Sequence, residues 1–236
     1  MNCLNISKGH MYKWVTHTWN PIRGRCPHDC QYCYMKSVRW DIGELRFEEK
    51  CLNDNLGIGN TIFVGSSTDM WADGVPDAWI LKVLQHCIKY PLNTYLFQSK
   101  NPKRFLDFIS NYEDFIPRNV IWGTTIETNR DLQNISKAPS PYQRYSMMTW
   151  IEGKTMISIE PIMDFDLDVT VEWIYAIQPE FVSIGADSKG NNLPEPPAWK
   201  VEKLIEELRK FTEVKVKKNL ERILGDRKVK PMEERK

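Results

Sequence analysis

Residues 24–35 read "GRCPHDCQYCYM" and hold three of the chain's six cysteines within eight positions. These are Cys26, Cys30 and Cys33, with a proline, a histidine and an aspartate between the first two. Thiols this close together are typical of a disulfide, a zinc site or an iron–sulfur site. The strands, helices and polar residues predicted around them are needed to choose among the three.

The composition is that of a soluble globular protein. Hydrophobic residues make up 42% of the 236 residues and charged residues 27%, and the net charge is +1. No apolar run approaches the ~18–20 residues that span a bilayer, and the first residues hold no stretch of signal-peptide length. We therefore expect a cytoplasmic protein without a membrane partner. In that compartment clustered cysteines bind metal or do redox work more often than they form structural disulfides.

Short β-branched or aromatic runs recur after the cysteines, and each ends in polar residues or glycine. Six of them start 25 to 36 residues apart, a spacing that suits repeated units of one strand and one helix. An earlier run at 13–21, "KWVTHTWNP", predicts a first strand ahead of the cysteines. The six later runs lie at 61–67, 94–100, 120–127, 156–161, 181–187 and 213–219.

Helical patterns separate several of these runs. Residues 77–90 repeat apolar side chains with a period near 3.6, and 101–109 and 197–211 also predict helices. Strands that alternate with helices imply a parallel sheet, and right-handed crossovers wind such a sheet into a barrel or a doubly wound sheet. The absence of a long linker favours a single barrel-like α/β domain over residues 1–236, with a core at about 13–220.

The C-terminal residues are more basic than the rest. Residues 215–236 hold nine Lys or Arg against four Asp or Glu. We interpret 221–236 as a charged, solvated C-terminal tail.

Polar residues gather where five of the predicted strands end. In parallel α/β folds the carboxyl ends of the strands carry the functional site, so these residues are the first candidates for binding. They are Ser66, Ser67 and Asp69; Gln98, Ser99 and Lys100; Thr124, Thr125 and Glu127; Ser158 and Glu160; and Ser183, Gly185 and Asp187.

The spacing C-x3-C-x2-C favours an iron–sulfur site over its two alternatives. A disulfide would leave the third cysteine without a role. Zinc usually takes four ligands from two separated pairs, and the sequence has no second C-x2-C pair, although His17 or His28 would offer a fourth ligand. Three thiolates suit a [4Fe–4S] cluster in which one iron stays free to bind another molecule, unlike the four-cysteine clusters of ferredoxins.

This loop, placed after a first strand and with Tyr32 before the third cysteine, resembles the radical S-adenosylmethionine (SAM) superfamily. The resemblance implies a partial (β/α)6 TIM-type barrel with the cluster loop after strand 1. It also implies that Cys26, Cys30 and Cys33 ligate three irons of a [4Fe–4S] cluster and that SAM chelates the fourth. An electron from an external donor of the flavodoxin or ferredoxin type would then cleave SAM to methionine and a 5′-deoxyadenosyl radical.

The resemblance also implies which residues bind SAM. They follow the first, second, fourth, fifth and sixth strands of the predicted barrel, although the glycine-rich "GGE"-like segment common after strand two reads "GSSTD" here. The implied SAM-binding residues are Tyr32, Ser66, Ser67, Asp69, Thr125, Glu127, Ser158, Glu160 and Gly185.

A closer resemblance is to a phage-associated radical SAM-like family of unknown function. The motifs that carry it run from about residue 15 to 220 and include "THTWNPIRGRC", "FVGSSTDMW", "FQSKNPKRF" and "VSIGADSKG". The phage link and the basic strand ends favour a nucleotide or nucleic-acid base as substrate. Another small molecule is the alternative substrate class. Candidate substrate residues are Gln98, Lys100, Asp187 and Lys217.

A second interpretation is a non-catalytic module. The cysteines would then hold zinc or an iron–sulfur cluster for a regulatory or nucleic-acid-binding role, and the strand-end carboxylates would be incidental. Metal content distinguishes the two interpretations.

Overall fold

The β-branched runs of the sequence form the strands of one large sheet. The computed structural model describes residues 3–8, 11–132 and 134–225, so most of the predicted tail at 221–236 lies outside the described residues. The strands are β1 (Leu4–Ile6), β2 (His17–Trp19), β3 (Ile22–Arg23), β4 (Arg46–Phe47), β5 (Thr61–Val64), β6 (Thr94–Ser99), β7 (Val120–Thr125), β8 (Lys154–Ile159), β9 (Phe181–Ile184) and β10 (Glu213–Val216).

The sheet is mainly parallel and runs in the order β1-β2-β5-β6-β7-β8-β9-β10. Every neighbouring pair from β2 to β10 is parallel, as predicted, whereas the edge strand β1 pairs antiparallel with β2. Because β1 and β10 form its two edges, the described sheet is a barrel that does not close. Strands β3 and β4 form a separate ribbon beside it.

Helices follow most of the parallel strands. They are α1 (Asp77–Ile88), α2 (Lys103–Asn111), α3 (Pro141–Met148), α4 (Leu167–Ile177), α5 (Ala198–Leu208) and α6 (Glu221–Leu224), with 3-10 helices at Tyr34–Ser37, Glu49–Asn53, Glu113–Phe115 and Lys218–Leu220. The three predicted helices correspond to α1, α2 and α5. None of the described helices has both the length and the apolar character that a bilayer crossing requires.

The two faces of the sheet pack against different parts of the chain. Side chains alternate along each strand, so Ile62 and Val64 pack toward the helices while Phe63 points to the opposite face. On that face the segment 11–15 packs against the strands and supplies Tyr12, Trp14 and their neighbours in place of a helix. The barrel interior is therefore filled at one level by the N-terminal segment.

A disulfide between Cys3 and Cys51 ties the N-terminus to the 3-10 helix Glu49–Asn53, with 5.3 Å between the two Cα atoms. The Asp54 carboxylate adds to this link, since its Oδ2 accepts hydrogen bonds from the backbone N–H groups of Cys3 and Leu4 at 2.9 and 2.8 Å. The sequence gives no signal for the pairing, because the two cysteines are 48 residues apart.

Trp71 lies at the centre of an aromatic cluster between the sheet and α2. Its ring meets those of Phe97, Phe105, Phe108 and Trp122 edge-on, at centroid distances of 5.0 to 5.8 Å, and its side chain is fully buried. This cluster fixes the segment after β5 against α2 and thereby positions the nearby Asp69.

Trp71→Ala is expected to lower the free energy of unfolding by about 3–5 kcal/mol, because it removes a large buried ring and leaves a cavity. Urea denaturation followed by far-UV circular dichroism measures the loss. Trp150→Ala is the matched control: its side chain is 72% exposed, and its expected effect is within about 0.5 kcal/mol. Equal losses in the two variants would contradict this account of the core.

Candidate functional site

The cysteine loop, residues 24–33, lies against the carboxyl ends of the parallel strands. The His28 ring contacts Asp69 after β5, and the Tyr32 hydroxyl contacts Glu127 after β7. Gln31 Nε2 donates to the carbonyl of Asn191 after β9 at 3.0 Å. The loop therefore touches three of the strand ends at which the sequence predicts a site.

Asp69 anchors the first half of this loop. Its Oδ2 is 2.9 Å from Nε2 of His28 and accepts from the Ser99 hydroxyl and the Lys100 N–H at 2.8 and 2.9 Å. Its Oδ1 accepts from the N–H of Trp71 at 3.0 Å. Burial opposes ionisation, yet the His28 ring and these donors hold the pKa of Asp69 below its usual range. One carboxylate thus joins the cysteine loop to two strand ends.

The three cysteines are free thiols, and Cys30 is buried. Burial, and then the charge of Asp69, raise the pKa of Cys26 to about 12, and the backbone groups of Asp69 and His28 oppose this shift only in part. Cys26 is therefore a neutral thiol at neutral pH in this fold. The Cys30 sulfur lies 3.1 Å from the hydroxyl of Ser136.

The donor chemistry of this loop fits an iron–sulfur cluster. Three thiols that form no disulfide stand in one short segment, and soft thiolate ligands are those that such clusters use. Binding would release the proton that Cys26 carries. Among the described residues, no group of three or more Cys, His, Asp or Glu side chains is arranged to hold a metal ion.

Glu127, Lys100 and Arg144 form a buried charge cluster beside the second half of the loop. Glu127 is 4% exposed, and its two oxygens lie 3.2 Å from Lys100 Nζ and 2.7 Å from Arg144 Nη1. The Tyr32 hydroxyl also donates to Glu127. Burial alone would raise the pKa of Glu127, but the Arg144 and Lys100 cations outweigh it and lower that pKa to about 2.

A polar network crosses the barrel interior above the N-terminal segment. The Tyr12 hydroxyl lies 2.8 Å from Gln98 Oε1 and 3.1 Å from the Ser158 hydroxyl, and Gln98 Nε2 donates to Thr125 Oγ1 at 3.1 Å. Thr125 and Ser158 are direct register partners on β7 and β8. Gln98, Thr125 and Ser158, all predicted site residues, therefore come together around Tyr12.

Glu160 and Lys217 form an ion pair after β8 and β10. Asn219 donates to Glu160 Oε1 at 3.2 Å, and Lys217 Nζ lies 4.4 Å from the centre of the Tyr12 ring. Gly185 leaves room for the Glu160 carboxylate, because a Cβ at this position would come within 2.7 Å of Glu160 Oε1 and would displace it. These residues form the part of the site that lies farthest along the sheet from β2.

The remaining predicted residues are held by local contacts. The Ser66 hydroxyl and the Ser67 N–H donate to Asn20 Oδ1 at 3.2 and 3.0 Å. Asp187 accepts from the N–H of Lys189 at 3.0 Å and from Asn191 in its own loop. Asp187 thus shapes the loop that Gln31 contacts.

Sequence reasoning missed four residues of this arrangement. Tyr12, Asn20 and Ser136 act through contacts to strands or loops that are distant in the chain, so no local signal marks them. Arg144 could have been placed on a helix from the sequence. Ser140 and Gln143 form a capping box and Pro141 lies in the first turn, and this pattern predicts α3.

Comparison with known proteins identifies a family. Residues 10–209 match the family described as protein of unknown function (DUF5131), and the chain belongs to this family. The description gives no phage association, so the phage link stays a prediction. No curated protein matches the sequence.

Solved structures with a similar fold include spore photoproduct lyase complexed with dinucleoside spore photoproduct. Its TM-score is 0.63 at 11% identity, over 90% of this chain and 78% of that one. A variant of that enzyme with bound AdoMet and the dinucleoside has a TM-score of 0.54 at 10% identity, over 84% and 62% of the two chains. SuiB of Streptococcus suis bound to S-adenosylmethionine gives 0.53 at 9% identity, over 83% and 48%. At these identities the likeness establishes the fold, and it agrees with the predicted partial barrel.

Glu127→Gln is expected to remove about 3 kcal/mol of folding stability at neutral pH, because the folded pKa of about 2 lies well below the usual 4.5. A lowered carboxyl pKa stabilises the fold above the unfolded pKa, and this contribution is lost as the pH falls from about 4.5 to 2. The difference in unfolding free energy between wild type and variant should therefore shrink over that range.

Urea denaturation at a series of pH values measures this difference. The control is Glu152→Gln, since Glu152 is exposed and its loss should leave the profile unchanged. A difference between wild type and Glu127→Gln that stays constant from pH 7 to pH 2 would rule out the charge cluster as its source.

Proposed function

We propose that this member of the DUF5131 family is a radical SAM enzyme in which Cys26, Cys30 and Cys33 hold a [4Fe–4S] cluster. The observation that carries the proposal is the position of these free thiols, in one loop fixed against the carboxyl ends of a parallel partial barrel. The fold is shared with two proteins solved with S-adenosylmethionine bound, at TM-scores of 0.53 and 0.54. The cysteine spacing and this fold support the same interpretation independently.

When bound, the cluster supplies the electron that cleaves SAM to methionine and a 5′-deoxyadenosyl radical. The protein's own residues fix the loop and shield the site. Asp69 and His28 hold the first cysteine from one side, and Glu127 holds Tyr32 from the other. Because both carboxylates are largely buried, the loop can be positioned without access of bulk water to these contacts.

We further propose how SAM is bound. Ser66 and Ser67 follow β5, and the Tyr32 hydroxyl donates to Glu127 after β7. Thr125, Ser158, Glu160 and Gly185 lie along β7 to β9. Glu127 is buried, the Asp69 side chain is 12% exposed, and both are already bonded, so their role is to position these groups rather than to receive SAM directly.

The proposed substrate is a nucleotide or a nucleic-acid base, bound by Gln98, Lys100, Asp187 and Lys217 at the barrel mouth. Spore photoproduct lyase, which shares the fold, was solved in complex with dinucleoside spore photoproduct. The whole of residues 1–236 would form one catalytic domain in the cytoplasm, and a flavodoxin or ferredoxin type of protein would donate the electron.

Anaerobic reconstitution with iron and sulfide tests the reaction class. We expect about four irons per chain and, after addition of dithionite and SAM, the formation of 5′-deoxyadenosine detected by mass spectrometry. The variant with all three cysteines replaced by alanine should form neither cluster nor product. A wild-type protein that binds one zinc and no iron–sulfur cluster would refute the proposal in favour of a non-catalytic metal-binding module.

The substrate class is tested by deuterium transfer. Dinucleotides and short oligonucleotides with deuterated sugars or base methyl groups are incubated with the reconstituted enzyme, and peptides with deuterated side chains serve as the comparison. We expect deuterium in 5′-deoxyadenosine only with a nucleotide substrate. Transfer from peptides alone would contradict the nucleotide assignment while leaving the reaction class intact.

A further inference from the structure

We propose that Lys100 and Arg144 form a buried cationic pair that raises the reduction potential of the cluster held by the cysteine loop. This inference rests on the proposed function. It concerns the charge balance of the buried charge cluster formed by Glu127, Lys100 and Arg144.

The buried charge cluster carries more positive than negative charge. Lys100 and Arg144 are both held against the single carboxylate of Glu127, and the Lys100 and Arg144 side chains are only 13% and 5% exposed. Tyr32, the other partner of Glu127, donates a hydrogen bond from its hydroxyl to that carboxylate and adds no charge to the group. The group therefore has an excess of one positive charge.

An excess buried charge is costly unless a counter-charge lies close by. Arg144 is also incompletely bonded, since its Nε is buried and has no hydrogen-bond partner among the described residues. Its Nη1 is already bonded to the Thr125 carbonyl and to Glu127. The arrangement leaves one buried positive charge without a counter-charge, next to Tyr32 in the second half of the cysteine loop.

The cysteine loop lies next to this charge. Lys100 Nζ stands 5.3 Å from the centre of the Tyr32 ring, and Tyr32 immediately precedes Cys33. Burial lowers the pKa of Lys100, but Glu127 outweighs it, and a thiolate at Cys30 would be close enough to add to this effect. Thiolates of a bound cluster would therefore supply the missing negative charge.

The sign of the effect follows from this charge balance. Reduction adds one electron to the cluster, with dithionite as donor in the test, and no bond is formed or broken in that step. A positive charge nearby in a medium of low dielectric constant stabilises the added negative charge. Removing one cation should make reduction less favourable, and removing the carboxylate should make it more favourable.

The test is a reductive titration of the reconstituted protein, with the reduced cluster measured by electron paramagnetic resonance. Lys100→Gln is expected to weaken the reduction equilibrium about tenfold, which is about 59 mV for a one-electron couple. Lys100→Arg keeps the charge and should stay near the wild-type potential. Glu127→Gln should shift the potential in the opposite direction, toward easier reduction.

Lys103→Gln is the matched control. Lys103 lies three residues further on, and its side chain is 65% exposed and paired with Asp107 at 2.7 Å. The same change in charge at this position should leave the potential within error of wild type, because solvent screens it. A structural disturbance without an electrostatic component would not move the potentials of Lys100→Gln and Glu127→Gln in opposite directions.

The possible results separate the inference from the proposed function. A wild-type protein that assembles no cluster overturns the proposed function. A cluster that assembles in all variants but titrates at one potential overturns the inference alone. If Lys100→Gln does not fold, Arg144→Gln and Glu127→Gln carry the same test, and shifts of the same sign in both would overturn the inference.

Discussion

The position of the cysteine loop depends on one largely buried carboxylate. Asp69 binds the ring of His28 within the loop and accepts hydrogen bonds from Ser99 and Lys100 at the end of the next strand. Loss of this carboxylate would leave several buried donors unpaired at once, which costs more than the loss of any single bond. The loop is thus fixed by the sheet and not by its own sequence.

Glu127 provides the second attachment, and its charge environment is opposite to that of Asp69. Near Cys26 the charge of Asp69 acts against formation of a thiolate. Near Cys30 and Tyr32 the two cations of the buried charge cluster outnumber the single carboxylate. The loop therefore spans a change in electrostatic potential over a few residues. Two carboxylates with similar burial have different roles because their partners differ.

Much of the fold can be predicted from local sequence. The elements that could not be predicted depend on contacts between residues that are distant in the chain. Strands β5 to β10 are marked by β-branched runs, and α1 by its apolar period. Edge strand β1 is three residues long, and the disulfide from the preceding Cys3 to Cys51 holds it in place. Its own sequence is too short to predict a strand. Likewise Tyr12 reaches Gln98, 86 residues away, and its role in the barrel interior depends on the packing of the N-terminal segment against the sheet. Strand-end polar residues were predictable as a group, because parallel strands bring their carboxyl ends to one edge, but their individual partners were not.

The polar groups at this edge are mostly bonded to one another, which determines how a ligand is received. A charged ligand must exchange an existing ion pair for a new one, and the cost of that exchange rises with burial because an unpaired buried charge is left behind. Glu127 is 4% exposed, whereas the side chains of Glu160 and Lys217 are 22% and 14% exposed. Exchange is therefore least costly at the ends of β8 and β10, where water can compensate the released partner. Asp69 and Glu127 keep their internal partners and hold the loop, and the more open pair at Glu160 and Lys217 is the part of the site that is free to change partners.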